Sequence, residues 1–347
     1  MASKIVQPNV ETVQVDSLVL MKIVKHFESE RALGGTTMIR GYLTGLIASE
    51  EKRLELTNCF QCTTGARGPD QTEEDVLRHQ EEVQEMLRRF RNMNMDYQLL
   101  GFYESASFGS AFNEYLVLSM FDYQSLIEDS VVLIYDNTKT AMGLLCLQAY
   151  RLSRAAMQHC ANDSFTPQSV REAGLSYSNM LEELPIQIKN SHLVNVALAE
   201  MQLLRNKSSK APFLDLSHSG GMEKCLRSLM ANLDELNGET ARYNKYAANR
   251  AKYENIRDTH LQKRKLENES RRARGEPELP PDDILKGKQP PPHPMLETFL
   301  AAKEVQGHLN HALQVSAQNL GKLFLTEAVV EEKEGRLRDR AASLADK

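Results

Sequence analysis

From Met222 onward the apolar side chains recur at alternating intervals of four and three residues: Met222, Leu226, Leu229, Leu233, Leu236, Thr240, Tyr243 and Ala247. A spacing that averages 3.5 residues keeps one narrow stripe in line along a helix, and a stripe sustained over more than three heptads is used by helix-on-helix packing. The pattern predicts one long helix within 216–275 that needs helical company. Seven of the twelve prolines then fall between Pro277 and Pro294, in PELPPDDILKGKQPPPHP, so 276–294 reads as an extended connector rather than a packed element. Beyond it, 295–347 reads as a second long helix and tail, with Leu300, Val305, Leu309, Leu313, Leu320, Leu323 and Phe324 on its apolar side. His308 and His311 are three residues apart there, two imidazoles that fall short of a metal-ligand set, and they read as bundle surface rather than metal ligands. The two helices can pack on each other or on helices of other proteins.

The first two hundred residues have a different grammar. Thr12 to Val15 alternates like a strand, and Asp16 stands where it can cap a helix carrying Leu20, Ile23, Val24 and Phe27. Ile39 to Ala48 and Leu54 to Phe60 flank the polar Ser49 to Arg53, which predicts an antiparallel hairpin with an exposed tip. A helix follows from Thr72 to about Met93, then an apolar run to the Gly101 loop, a helix over Phe112 to Tyr123, and two further strands at Val131 to Tyr135 and Leu144 to Tyr150. Pro185 to Lys189 reads as another strand, with Ser191 placed to cap a helix that runs to Leu204. These elements predict an α/β domain over 1–155 and an extension of strand plus helix over 156–215.

Bulk properties narrow the class of partner. Hydrophobic residues make up 41% and charged residues 26% of the 347, and the net charge of -5 carries no polyanion-binding signature. No run of about 18 uncharged apolar residues exists to cross a membrane, and the amino terminus has no long apolar core of a signal peptide. Five cysteines, an odd number, suit a reducing cytoplasmic compartment better than a disulfide framework. Cys59 and Cys62 have CxxC spacing, but no second pair completes a four-ligand zinc site, so packing is their expected role. Lys263, Arg264, Lys265, Arg271, Arg272 and Arg274 are interleaved with Glu267 and Glu269 and lack aromatic neighbours. They read as a solvated helix face that offers at most weak RNA contact.

Residues 101–107, Gly-Phe-Tyr-Glu-Ser-Ala-Ser, resemble the zinc loop of MPN-domain isopeptidases of the JAMM type, Gly-Trp-Tyr-His-Ser-His-Pro, with its ligands removed. Residue by residue, the first His falls on Glu104, the second on Ala106, the Pro on Ser107, the Ser of the following Ser-x-x-Asp on Glu114 and its Asp on Val117; the general-base Glu falls on Met38. The blocks MIRGYLTGL (38–46), LELTNCF (54–60), SVVLIYDNTKTAMGLLCLQAYRL (130–152) and EELPIQIKNSHLV (182–194), with AQNLGKLFL (317–325), are similar to the h-subunit family of eukaryotic translation initiation factor three.

The resemblance implies an MPN fold, with a mixed, mainly antiparallel sheet flanked by helices and long carboxy-terminal helices that join a multi-subunit bundle. It implies no zinc, no other cofactor and no catalysis, because Ala, Val and Met offer neither a ligand lone pair nor a proton acceptor. The expected role is a scaffold in the cytoplasm that holds the other subunits of the initiation factor, including a second MPN subunit, on the small ribosomal subunit. Leu226, Leu229, Leu233, Leu236, Tyr243, Leu313, Leu320, Leu323 and Phe324 are the expected partner-binding residues. A divergent zinc-dependent deubiquitinating isopeptidase, using Glu104, Glu114 and His79 as donors, is the competing reading.

Overall fold

The structure, a computed structural model of the chain, describes residues 10–34, 38–62, 73–106, 112–141, 145–161, 165–205, 219–275 and 294–345. Ser107, residues 206–215 and nearly all of the proline-rich connector lie outside this set. Among the described residues, eight strands form one mixed sheet: β1 (Thr12–Val15), β2 (Arg40–Ala48), β3 (Arg53–Gln61), β4 (Gln98–Ala106), β5 (Val131–Asp136), β6 (Leu147–Leu152), β7 (Leu181–Leu184) and β8 (Ile186–Ile188), in the order β7-β6-β5-β4-β2-β3-β1-β8. The helices are α1 (Ser17–Ala32), α2 (Glu73–Asn92), α3 (Glu114–Leu126), α4 (Asn137–Ala141), α5 (Arg154–Ala161), α6 (Pro167–Glu172), α7 (Tyr177–Met180), α8 (His192–Arg205), α9 (Ser219–Arg274) and α10 (Leu296–Ala345).

The sheet curls until its two margins meet. β7 and β8 are separated in sequence only by Pro185, yet they are the outermost strands on opposite sides. Proline cannot donate to a strand ladder, so the chain breaks there and changes margins. Arg151 of β6 ties the closure by donating to the Val10 carbonyl at 2.6 Å and to Glu182 at 2.7 Å, while the Pro185 carbonyl accepts from the Val13 amide at 3.0 Å. β7 has no sequence signal beyond four residues with two acidic side chains in their middle, and the expected strand starts only at Pro185.

Side-chain alternation along the strands divides the core in two. Val132 and Ile134 point to the face covered by α3 and α5, whereas Val131, Leu133 and Tyr135 point to the face covered by α1. In β4 the register with β2 slips between Gly101 and Leu99, which lets Leu100 and Tyr103 share one face while Phe102 takes the other. Gly101 makes this possible: its φ is +149°, and a Cβ there would lie 1.9 Å from the Val131 carbonyl oxygen. The hairpin of β2 and β3 forms as its sequence predicts, with Lys52 in the left-handed region at the exposed tip. Asp16 occupies the cap position of α1, but its side chain makes no capping bond; its carbonyl accepts from Val19 instead. Ser191 does cap α8, accepting from the Val194 amide at 3.4 Å.

α9 and α10 pack against each other as a staggered antiparallel pair. Asn232 meets Glu304, while Arg171 touches Tyr243 close to where the Met295 amide donates to the Phe165 carbonyl. Lys139 of α4 sits near both Cys225 and His311. The overlap therefore runs from about Ser219 to Tyr243 on one helix and Met295 to Gln318 on the other. Past it, α9 continues to Arg274 and α10 to Ala345.

The inward stripe of α9 differs from the expected one. Met222, Cys225, Leu229, Asn232, Leu236, Glu239, Tyr243 and Tyr246 are buried or half-buried, while Leu226 and Leu233 are exposed. The true seam alternates three and four residues, and its second position is filled by Cys225, Asn232 and Glu239, which are not apolar enough to be read as a core. Leu226 and Leu233 lie one residue further round the helix. A second correction concerns His308 and His311, which are both buried, at 0% and 5% exposure, rather than on the bundle surface.

Candidate functional site

The segment that resembles a zinc loop lies at the end of β4, facing α3. Phe102, Glu104 and Ala106 point to the same side, and α3 brings Leu116, Val117 and Met120 against them. α3 starts where it does because Asn113 accepts from the Leu116 amide at 2.7 Å, a side-chain cap that sets the phase of the helix. That phase turns Val117 inward and leaves Glu114 outside in the first turn, where an acidic side chain suits the helix dipole.

Each of the degenerate positions now has a structural setting. Ala106 and Val117 belong to one apolar cluster with Leu116, Ile134 and Met120. Glu104 is buried opposite Arg40 on the neighbouring strand, and the Arg40 guanidinium lies 4.3 Å over the Phe102 ring. Burial pushes the Glu104 carboxyl up, and Arg40 pulls it part of the way back. Met38 stands half-buried just before β2. Among the described residues, no group of three or more His, Cys, Asp or Glu is arranged to hold a metal ion. His79, the donor that a divergent zinc site would borrow, is hydrogen-bonded to the Tyr42 hydroxyl instead.

Ser105, between Glu104 and Ala106, carries a role with no signal in the sequence. Its hydroxyl accepts from the Ile39 amide at 2.8 Å, and its own amide donates to the Ile39 carbonyl at 3.0 Å. The two bonds clamp the chain leading into β2 against the end of β4. A serine in the loop therefore has architectural work whether or not a metal is bound beside it.

Of the expected partner-binding residues, Leu229 is buried within the chain's own helix pair, and Leu236 and Tyr243 are half-buried there. Leu226, Leu233, Leu313, Leu320, Leu323 and Phe324 are exposed, with Leu313 at 69% and Phe324 at 62%. The last three lie on the part of α10 that runs beyond α9, alongside exposed Leu325, Val329 and Val330.

Residues 8–129 match the family described as JAB1/Mov34/MPN/PAD-1 ubiquitin protease, and residues 140–335 match the C-terminal region of eIF3h. The chain belongs to the eIF3h family. It is 42% identical to the eIF3h protein of Caenorhabditis elegans, over 99% of this chain and 98% of that one; eIF3h is the h component of eukaryotic translation initiation factor 3. It is 42% identical to the eIF3h protein of Brugia malayi over 96% of each, and 39% identical to the H-B form from Danio rerio over 95% of this chain and 98% of that one. Membership in a family of initiation factor components sets it apart from the proteases that share the MPN fold, and the eIF3h match covers both α9 and most of α10. No helix among the described residues is long and apolar enough to cross a membrane.

Proposed function

We propose that this chain is a non-catalytic scaffold of the initiation factor, acting in the cytoplasm, whose long helices hold partner subunits on the small ribosomal subunit. What carries the reading is the apolar overhang of α10. Leu320, Leu323, Phe324, Leu325, Val329 and Val330 are exposed on a helix that has run past the end of its own partner. Most of the stability of a protein helix comes from packing its apolar face, and each Leu buried on assembly contributes about 1.5 to 3 kcal/mol, so four to six such residues offset the cost of ordering. Leu226, Leu233 and Leu313 widen the same kind of surface along the paired region.

The core offers a second apolar surface for another MPN subunit: Leu193, Val196, Met201 and Leu203 of α8 are exposed, as are Leu18 and Met21 of α1. The basic end of α9 supports only weak RNA contact, since Arg271 pairs with Glu267 at 3.6 Å within the helix. An isopeptidase reading finds no support in the side chains at the loop. Ala106 and Val117 are core residues, and Glu114 faces solvent.

The test is co-purification. Leu233→Asp with Leu320→Asp alters two exposed positions and should release the full-length protein from the other subunits without changing its circular dichroism. Leu229→Asp is unsuitable, because Leu229 is buried inside the chain and its loss would unpack α9 from α10. Wild-type recovery of partner subunits by the double variant would overturn the proposal.

A further inference from the structure

Away from the β4 loop, a cavity of about 210 Å³ opens between β3 and α2, lined by Tyr42, Phe60, Cys62, His79, Glu82 and Arg89 among others. Cys62 closes the end of β3, where its amide donates to the Arg40 carbonyl at 3.0 Å. It does not pair with Cys59: the two side chains pack against opposite faces of the sheet, Cys59 toward α1 and Cys62 toward the α3 side. The CxxC spacing is therefore no redox pair and no half zinc site.

What Cys62 has beside it is an imidazole. The His79 Nδ1 lies 3.7 Å and the Nε2 3.8 Å from Cys62 Sγ, and Nε2 is hydrogen-bonded to the Tyr42 hydroxyl. Burial, then Tyr123, push the Tyr42 phenol well above its ordinary value, so it keeps its proton at neutral pH. Sγ is almost equally far from both ring nitrogens, so it rests against the ring rather than on the line of either N–H, and the imidazole acts on it as a neighbouring base: a proton passed from the thiol to the ring leaves a thiolate beside an imidazolium, the form in which cysteine is a nucleophile.

Three of the other four thiols are set differently. Burial pushes Cys59 up to about 12 and Cys146 up to about 11, and raises Cys225 as well, which keeps all three protonated. Cys62 is half-buried at the wall of an open cavity. Among the described residues, the titratable groups around the pair include Arg40 and Tyr42 of β2, Tyr103 of β4, Glu82, Glu85 and Arg89 of α2, and Tyr123 of α3.

We propose that Cys62 is a modification site, a thiolate held beside His79 that forms a mixed disulfide with a low-molecular-weight disulfide entering the cavity between β3 and α2. The sulfur attacks one sulfur of the incoming disulfide, a new S–S bond forms as the old one breaks, and the departing thiolate carries away the electron pair and takes up a proton from water. No further oxidant is needed.

Full-length protein exposed to oxidised glutathione at neutral pH, quenched with acid and mapped by mass spectrometry, gives the rate at each cysteine. Cys62 should react about tenfold faster than Cys146 or Cys160, and the difference should vanish in denaturant. His79→Gln should slow Cys62 about tenfold and move the midpoint of its pH–rate profile upward, toward that of a free thiol. Tyr42→Phe should give a smaller change in the same direction with less disturbance of the helix. Should His79→Gln not fold, the wild-type profile decides: a midpoint below that of free glutathione supports the proposal, and one at or above it refutes it. Equal rates at Cys62 and Cys160, or no response to either substitution, would also overturn it.

Discussion

Asn232 on α9 donates its amide to the Glu304 carboxylate on α10 at 3.1 Å, placing a polar contact in the middle of the seam that joins the two long helices. Burial raises the Glu304 carboxyl to about 7; the Phe112 amide works against this shift, Glu235 adds to it and Lys139 opposes it. A carboxyl raised in the folded state binds a proton there more readily than in the unfolded chain. Its stabilising contribution is complete below about pH 4.5 and is lost as pH rises through about 7.

Glu304→Gln mimics the protonated form and can still accept from Asn232. At pH 8 the variant should be more stable than wild type, on the order of 1 kcal/mol once solvent screening of this half-buried group is allowed for, and the two should converge near pH 5. Urea unfolding followed by circular dichroism at the two pH values checks this. An unchanged difference between them would show that the seam does not penalise the charge.

His311 works in the opposite sense. Burial, then Lys139, lower it to about 4, so it is neutral in the folded protein and must gain a proton when the chain unfolds in acid. Its contribution is present above about pH 6.5 and is lost as pH falls toward 4. His311→Leu should flatten the acid limb of a stability profile over that window while leaving the profile above pH 7 unchanged in slope.

The degenerate zinc loop gives a contrast between two substitutions. Val117→Asp restores a carboxylate where the resemblance puts a ligand, but it buries an unpartnered charge among Leu116, Ala106 and Ile134 and should destabilise the domain by about 3 kcal/mol or more. Glu104→Gln removes a buried carboxyl that burial already disfavours as an anion, and should be near neutral at pH 7. Thermal melting of both variants distinguishes a packed core from an empty metal pocket. Equal effects would contradict the packing described here.

Gly101→Ala should be among the most damaging single-atom additions to the chain. The new Cβ would lie 1.9 Å from a backbone oxygen of β5, which cannot move without breaking the β4–β5 ladder, and the φ of +149° is one that alanine avoids. Gly174→Ala, at a positive φ but with nothing within 4 Å, isolates the cost of conformation alone and should be milder. Soluble yield and melting temperature of the pair report the difference.

Much of this was legible in the residues. The strands with clear alternation or apolar runs, β2, β3 and β5, and the helices with capping signals, such as α8, stand close to where their patterns put them. The loss of ligands at Ala106 and Val117 was visible by position, and their burial follows from the phase that Asn113 gives α3. Other features were hidden for physical reasons. The α9 seam contains Asn232 and Glu239, so a search for apolar residues settles on Leu226 and Leu233, one step off the contact line. His308 and His311 look like surface residues because a long helix gives no local hint of which side another helix will cover. The Cys62 and His79 pair joins a strand end to a helix well separated in sequence, and only the closed fold brings them within 4 Å.

The exchange of margins at Pro185 bears on how the chain is made. As it leaves the ribosome in order, β1 to β6 emerge before either outer strand, so β6 and β1 each present an unpaired backbone rim until residue 188 is free. Exposed rims of this kind recruit stray strands from neighbouring chains. The nascent domain is thus most vulnerable to aggregation, and in greatest need of chaperone cover, during the interval in which residues 153 to 188 are being synthesised.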